Sequence, residues 1–169
     1  LKLSEQYDVK VFMDINWRPM FWPNPDDAKP LIQELLKKVD FLKVTKEEAE
    51  LFFDTTDAGA IAHRLGSIEG VLVTDGGKGC NYCLSDWEDK FPAFSVETKD
   101  TTGAGDGFVA GFIHQLSQQG LNKSFATAES AREVIRYASA VGALTTLKPG
   151  AIAAQPTPSE VEAFLKERA

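Results

Sequence analysis

The sequence predicts an α/β layered fold with a mostly parallel central sheet, and three observations predict it. Short apolar, β-branched runs alternate along the chain with longer stretches of helical periodicity, the pattern of strands joined by crossover helices. The strand candidates run apolar rather than strictly alternating, as strands buried on both faces do. Several end in Gly, Asp, Asn or Thr, where ligands gather in doubly wound sheets. The 169 residues suffice for a core, and 1–169 is read as a single domain.

Taken in order, Leu1 to Ser4 reads like the tail of a helix, with no initiator methionine. Residues 8–15 carry Val9, Val11, Phe12 and Met13 and suit a buried strand that ends in Asp14, Asn16 and Arg18. Residues 26–39 read as a helix with Pro30 near its first turn and an apolar stripe of Leu31, Leu35, Leu36 and Val39. Phe41 to Val44 is a short strand. Thr45 heads the next helix, which runs to Phe53, and Thr45 with Glu48 fits a capping box. Residues 58–65 form a helix ending near Gly66.

Gly70 to Thr74 is the clearest buried strand. It runs into Asp75-Gly76-Gly77-Lys78-Gly79, a tight turn or a backbone that a ligand approaches closely, and Cys80 to Leu84 returns. Another strand is expected at 91–96. After it comes Asp100-Thr101-Thr102-Gly103-Ala104-Gly105-Asp106-Gly107-Phe108. Phe108, Val109, Phe112, Ile113 and Leu116 then mark one face of a helix. Residues 124–146 suit a long helix whose small Ala138, Ala140, Gly142 and Ala143 let a neighbour come close. Residues 147–151 form a loop. Thr157-Pro158-Ser159-Glu160 opens a last helix, with Val161, Phe164 and Leu165 facing inward.

Composition excludes several functions. Hydrophobic residues make up 43% and charged residues 25%, an ordinary globular balance. A net charge of −7 argues against binding nucleic acid through its phosphates. No apolar run is long enough to span a bilayer, and no signal-peptide pattern opens the chain, so no membrane partner and no secretion are expected. Cys80 and Cys83 lie three apart on a strand, where side chains face opposite ways, and no second Cys/His pair stands near to complete a zinc site. They are read as structural thiols, and His63 and His114 as structural helix residues.

The chemistry centres on residues 103–106. Gly103, Ala104 and Gly105 bring almost no side chain to a helix start, whose first N–H groups have no partner within the helix and whose dipole favours anions. Asp106 stands in the first turn, placed to take a proton from a hydroxyl that attacks a phosphate. A tight turn with a dipole-favoured Asp explains the same residues.

The longer string, continued by Val109-Ala110-Gly111-Phe112, resembles the second signature of the PfkB (ribokinase-like) carbohydrate kinases, and the likeness runs along most of the chain, most strongly to the fructokinases. The resemblance implies a ribokinase-like fold and ATP-dependent phosphorylation of a sugar hydroxyl, fructose first. It makes Asp106 the general base and the Gly103–Gly105 amides an anion hole. Thr74, Gly76 and Gly79 match a nucleotide-binding Thr-x-Gly-x-x-Gly, Thr102 belongs to the signature, and Gly150 lies in the loop completing the nucleotide pocket. Asp14, Asn16 and Arg18 match an Asp-x-Asn-x-Arg near the metal and phosphates. The wording after it, Trp17-Arg18-Pro19-Met20-Phe21-Trp22, departs from plant fructokinases.

Glu48 matches the Glu of an Asn-x-x-Glu that supports water around Mg²⁺, with Thr45 in place of the Asn; Asp100 borders a K⁺ site. The matched positions belong to the family's C-terminal half, so the chain is expected to be that portion. The lid and much of the sugar site are then expected in a preceding half. A homodimer through the lid and a cytoplasmic or plastid location are further expectations of the likeness. Two rivals stand beside it: a non-catalytic fructokinase-like scaffold in a plastid transcription complex, and a kinase for ribose or adenosine.

Overall fold

A computed structural model describes residues 1–168. Five strands form one sheet in the order β1 (Phe12–Asp14), β2 (Phe41–Thr45), β3 (Gly70–Thr74), β4 (Cys80–Leu84) and β5 (Trp87–Phe91). β1 with β2 and β2 with β3 are parallel, Phe12 lying opposite Phe41 and Phe41 opposite Gly70. The helices are α1 (Lys2–Tyr7), α2 (Ala28–Leu36), α3 (Lys46–Phe53), α4 (Ala58–Leu65), α5 (Ala104–Gln119), α6 (Leu121–Ser124), α7 (Ala128–Thr145) and α8 (Pro158–Lys166). Within the expected single domain the chain forms two compact units: residues 1–75 with 81–89, and residues 76–80 with everything described from Lys90 onward.

The first unit is built on β2 and β3, whose residues are buried except at the last position of each. Leu42, Val44, Val71 and Val73 join Ala28, Ile32 and Leu36 of α2, Phe52 and Phe53 of α3, and Ile61 of α4 in one core. The buried face of α2 is therefore 28-32-36, at one-turn spacing. Leu31 and Leu35, expected in the stripe, are exposed. The helix is also shorter than 26–39, because Asn24 first caps a 3-10 turn at Pro25–Asp27. The strand expected at 8–15 shrinks to Phe12–Asp14. The segment before it is held by Asp40, which accepts from Val11 N at 2.7 Å and pairs with Lys10. Cys80 and Cys83 are both buried free thiols, and burial pushes the Cys83 thiol up to about 11.

In the second unit α5 lies directly on α7. A Cβ on Gly111 would stand 2.8 Å from Val141 and 3.0 Å from the Ala138 backbone, and one on Gly142 would stand 3.1 Å from the Ala104 carbonyl. The expected helix over 124–146 is broken. Thr127 leaves the helical region and caps α7, its hydroxyl accepting from Ser130 N while Ser130 Oγ accepts from Thr127 N. The strand expected at 91–96 is instead β5 at Trp87–Phe91. Pro92 cannot donate to a ladder, and Phe94 leaves it to stack edge-on against Phe164 of α8 at 5.1 Å. α8 begins as expected, with Thr157 and Glu160 forming a capping box and Pro158 in the first turn.

Candidate active site

In the second unit a sharp turn delivers the chain into α5. Ala104 N donates to Thr101 O at 3.2 Å, and Gly103 adopts φ 78°, ψ 1° as the helix cap. Only glycine fits there, because φ is positive and a Cβ would meet Ala151 at 2.9 Å. The helical ladder starts at Gly107 N, which donates to Gly103 O at 2.8 Å. That leaves the Gly105 and Asp106 N–H groups, on exposed residues, with no acceptor among the described residues. The amides that can face an anion are thus those of Gly105 and Asp106, since Ala104 is engaged in the turn. The Asp106 carboxylate is exposed and takes no hydrogen bond or ion pair among the described residues.

Asp100 organises the approach to this turn. Its Oδ1 accepts from Thr102 N and its Oδ2 from Gly150 N, both at 2.9 Å. These bonds, the one from Gly150 first, hold its carboxyl down at about 2. Gly150 sits at φ 93°, exposed, with no atom within 4 Å of where a Cβ would stand. Thr102 is exposed beside them. Gly79 (φ 108°) donates to Gly76 O (φ 48° at Gly76) at 3.2 Å, and a Cβ on Gly79 would strike Phe91 O at 2.0 Å. The backbone requires that glycine, whatever it binds.

In the first unit the ends of β1, β2 and β3 carry the other candidates. Asp14 Oδ1 accepts from Asn16 N at 3.1 Å, fixing Asn16 at φ 46°. Glu48 is buried: Oε2 accepts from Thr45 N at 2.8 Å, and Oε1 accepts from Trp17 N. The Thr45 hydroxyl accepts from Glu48 N, so the capping box is complete. Trp17 packs its ring edge-on against Phe52 at 5.5 Å. The loop after β1 is therefore gripped by two carboxylates at consecutive N–H groups. Arg18 is exposed, its Nη1 donating to Trp17 O. Thr74 donates through its hydroxyl to Val44 O at 3.3 Å.

Sequence reasoning missed Lys43. It is 5% exposed in the middle of β2, its Nζ 3.1 Å from Asp14 Oδ2. Burial raises the Asp14 carboxyl above its ordinary range, with Lys43 opposing that rise. A charged residue inside an apolar run was the available signal, because a lysine there needs a partner. Among the described residues no three His, Cys, Asp or Glu side chains come together as a metal cage. No described helix is long and apolar enough to cross a membrane.

Comparison with known proteins agrees with this arrangement. The family model described as "pfkB family carbohydrate kinase" matches residues 2–158. Probable fructokinase-2 of Arabidopsis thaliana is 35% identical over 173 residues, covering 98% of this chain and 51% of that protein. The crystal structure of a fructokinase with bound ATP from Xylella fastidiosa superposes with a TM-score of 0.90 at 31% identity, over 99% of this chain and 55% of that one. A double-mutant fructokinase from Vibrio cholerae, bound to fructose, ADP and potassium ion, superposes with a TM-score of 0.82 at 26% identity, over 96% and 53%. The chain spans about half the length of the curated relatives it matches. From the Gly-Ala-Gly-Asp turn at the head of α5 to the parallel strands of the first unit, it belongs to the pfkB family of carbohydrate kinases.

Proposed function

We propose that this chain is the C-terminal nucleotide-binding and catalytic portion of a kinase that phosphorylates a sugar hydroxyl with ATP, converting fructose to fructose 6-phosphate. The observation that carries the reading is the mouth of α5: two adjacent acceptor-free amides, Gly105 and Asp106, beside an unpaired Asp106 carboxylate. The amides, with the turn from Gly103 through Ala104, stabilise charge on the transferred phosphoryl group. Asp106 takes the proton of the attacking hydroxyl. ATP, when bound, supplies that phosphoryl group; its proposed contacts are Thr74, Gly76, Gly79, Thr102 and Gly150. The similar fructokinase structures hold ATP in one case and fructose, ADP and potassium ion in the other, which supports this substrate pair.

The absence of an acidic cage among the described residues suits Mg²⁺, which keeps several waters and leans on phosphate oxygens. Glu48, Asp14 and Asn16 are the residues proposed to support such water, with Arg18 near the phosphates. Glu48 already serves two backbone N–H groups, but each carboxylate oxygen can accept a second bond. K⁺ is proposed beside Asp100, which remains ionised far into acid. A homodimer through a lid and a cytoplasmic or plastid location belong to the same reading.

The test is a coupled assay of ADP release by the full-length protein on a panel containing fructose, glucose, ribose and adenosine. Turnover on fructose with fructose 6-phosphate as product is expected. Turnover on ribose or adenosine alone would move the substrate. Silence on every acceptor, with a stable partner complex recovered instead, would overturn the kinase reading in favour of a scaffold.

A further inference from the structure

Gln155 follows the turns after α7 and is half-buried. Its carboxamide reaches three separate segments. Nε2 donates to Ala151 O at 3.0 Å and to Gly103 O at 3.4 Å. Oε1 lies 3.3 Å from the Thr145 hydroxyl, near the end of α7. The two carbonyls can only accept, so the amide nitrogen must face them; the side chain's orientation is fixed by its partners. The same carboxamide covers the first turn of α5, since a Cβ on Gly107 would stand 3.0 Å from Gln155 Oε1 and 2.6 Å from Thr145 Oγ1.

The bond to Gly103 O is the consequential one. The Gly103–Ala104 peptide is the hinge at which the chain leaves φ 78° and enters α5. A rotation of that peptide would swing the next N–H groups, those of Gly105 and Asp106, away from their common direction. Glycine resists such rotation least of all residues, so the constraint must come from outside the turn. Ala151 packs against Gly103, and Gln155 holds its carbonyl. We propose that Gln155 is a positioning residue for the phosphoryl-binding mouth of α5: its carboxamide ties Gly103 to the 151–155 loop and to Thr145, and so fixes the direction of the Gly105 and Asp106 amides. This role rests on the phosphoryl-transfer reading of that mouth.

The test compares wild type, Gln155→Leu and Thr145→Val in the full-length protein. Gln155→Leu keeps most of the volume and removes all three polar contacts. Amide hydrogen exchange over residues 103–107, with α8 as internal reference, reads the geometry without any turnover. Steady-state kinetics on the accepted sugar read its consequence. Gln155→Leu is expected to speed exchange over 103–107 while α8 is unchanged. It is expected to lower kcat about tenfold with the KM for sugar held within about twofold, since small misplacements of transition-state groups cost rate rather than binding. Thr145→Val should shift both readouts the same way and less.

Unchanged exchange over 103–107 in Gln155→Leu overturns the proposal. So does faster exchange spread evenly through α8 with kcat unaltered, which marks a merely structural side chain. If Gln155→Leu does not fold, Thr145→Val decides on the same two readouts. If wild type turns over no acceptor while exchange over 103–107 still responds to Gln155→Leu, the clamp stands and the kinase reading falls.

Discussion

Asp100 accepts the backbone N–H of Gly150, 50 residues further along the chain, at 2.9 Å, while its other oxygen accepts from Thr102 N. One carboxylate thus joins the segment entering α5 to the loop leaving α7. Both bonds need the ionised form, which is why the carboxyl titrates at about 2 rather than 3.8. A folded value below the unfolded one means the stabilisation is present above about pH 4 and is lost as the pH falls through the folded value of about 2. Carbon-detected NMR titration should give Asp100 a midpoint near 2. Asp100→Asn should speed exchange at the Gly150 amide without unfolding α7. A midpoint at the ordinary aspartate value would mean that the tie between residues 100 and 150 is not populated in solution.

Asp106 separates proton transfer from nucleotide binding. Its carboxylate is exposed and holds no other group in place among the described residues, so Asp106→Asn should leave the fold and ATP affinity intact. Loss of a positioned base costs about 10²–10⁴ in rate. Turnover should drop by that order while calorimetric ATP binding stays within about threefold, the spread expected when no transition-state contact is involved. Near-normal turnover would remove Asp106 from the mechanism.

Much of this architecture was legible before any coordinates. β3 and β4 fall where apolar runs meet glycine, and β2 differs by one residue. The caps at Thr45 and Thr157 follow from a hydroxyl three residues ahead of a glutamate. The Gly103 turn announced itself because only a side-chain-free residue fits that φ. What escaped was written in less distinctive residues. β5 reads Trp-Glu-Asp-Lys-Phe, with three charges on an exposed strand, so no apolar run marks it. α7 starts at a capping box whose third position is Ser130 rather than Glu or Gln, which leaves no sequence contrast with the preceding Ala and Thr. Lys43 and Gln155 act through partners distant in sequence, Asp14 and Gly103. Local pattern cannot supply a contact of that kind. The expectation of Gly103–Gly105 as the anion hole shifted by one residue, because the turn from Thr101 uses the Ala104 amide.

The closeness of α5 and α7 sets the next expectation. Gly111 is buried, helical and has no room for a methyl group: Val141 Cγ2 would lie 2.8 Å and Ala138 Cα 3.0 Å from it. In an exposed helix Gly→Ala would stabilise by up to about 1 kcal/mol. Here overpacking at about 1–3 kcal/mol opposes that gain, and the rigid Ala138 backbone makes overpacking win. Gly111→Ala should lower the denaturation midpoint, as read by urea titration. A stabilised variant would show that the two helices separate without penalty.

The Lys43–Asp14 pair is a test of what a buried charge is for. Lys43 Nζ lies 3.1 Å from Asp14 Oδ2, with side-chain exposures of 6% and 22%. Burial raises the Asp14 carboxyl, Lys43 opposes the rise, and Glu48 adds to it. Removing Lys43 alone strands Asp14 beside Glu48. Breaking a buried pair costs about 3–5 kcal/mol, and the residual exposure of Asp14 lowers this to about 2–3 kcal/mol by solvent screening. A carboxyl whose folded pKa lies above its unfolded value favours the folded state at low pH and loses that benefit as pH rises through the folded value. The Lys43→Met defect should therefore be largest at neutral pH and shrink as Asp14 protonates. Lys43→Met combined with Asp14→Asn should recover most of the loss at pH 7, because no ionised group is then left unpaired in the cycle. Urea unfolding of the four proteins at two pH values measures it. Equal, additive and pH-independent losses would show that the pair acts through packing of the lysine stem, with the charges incidental.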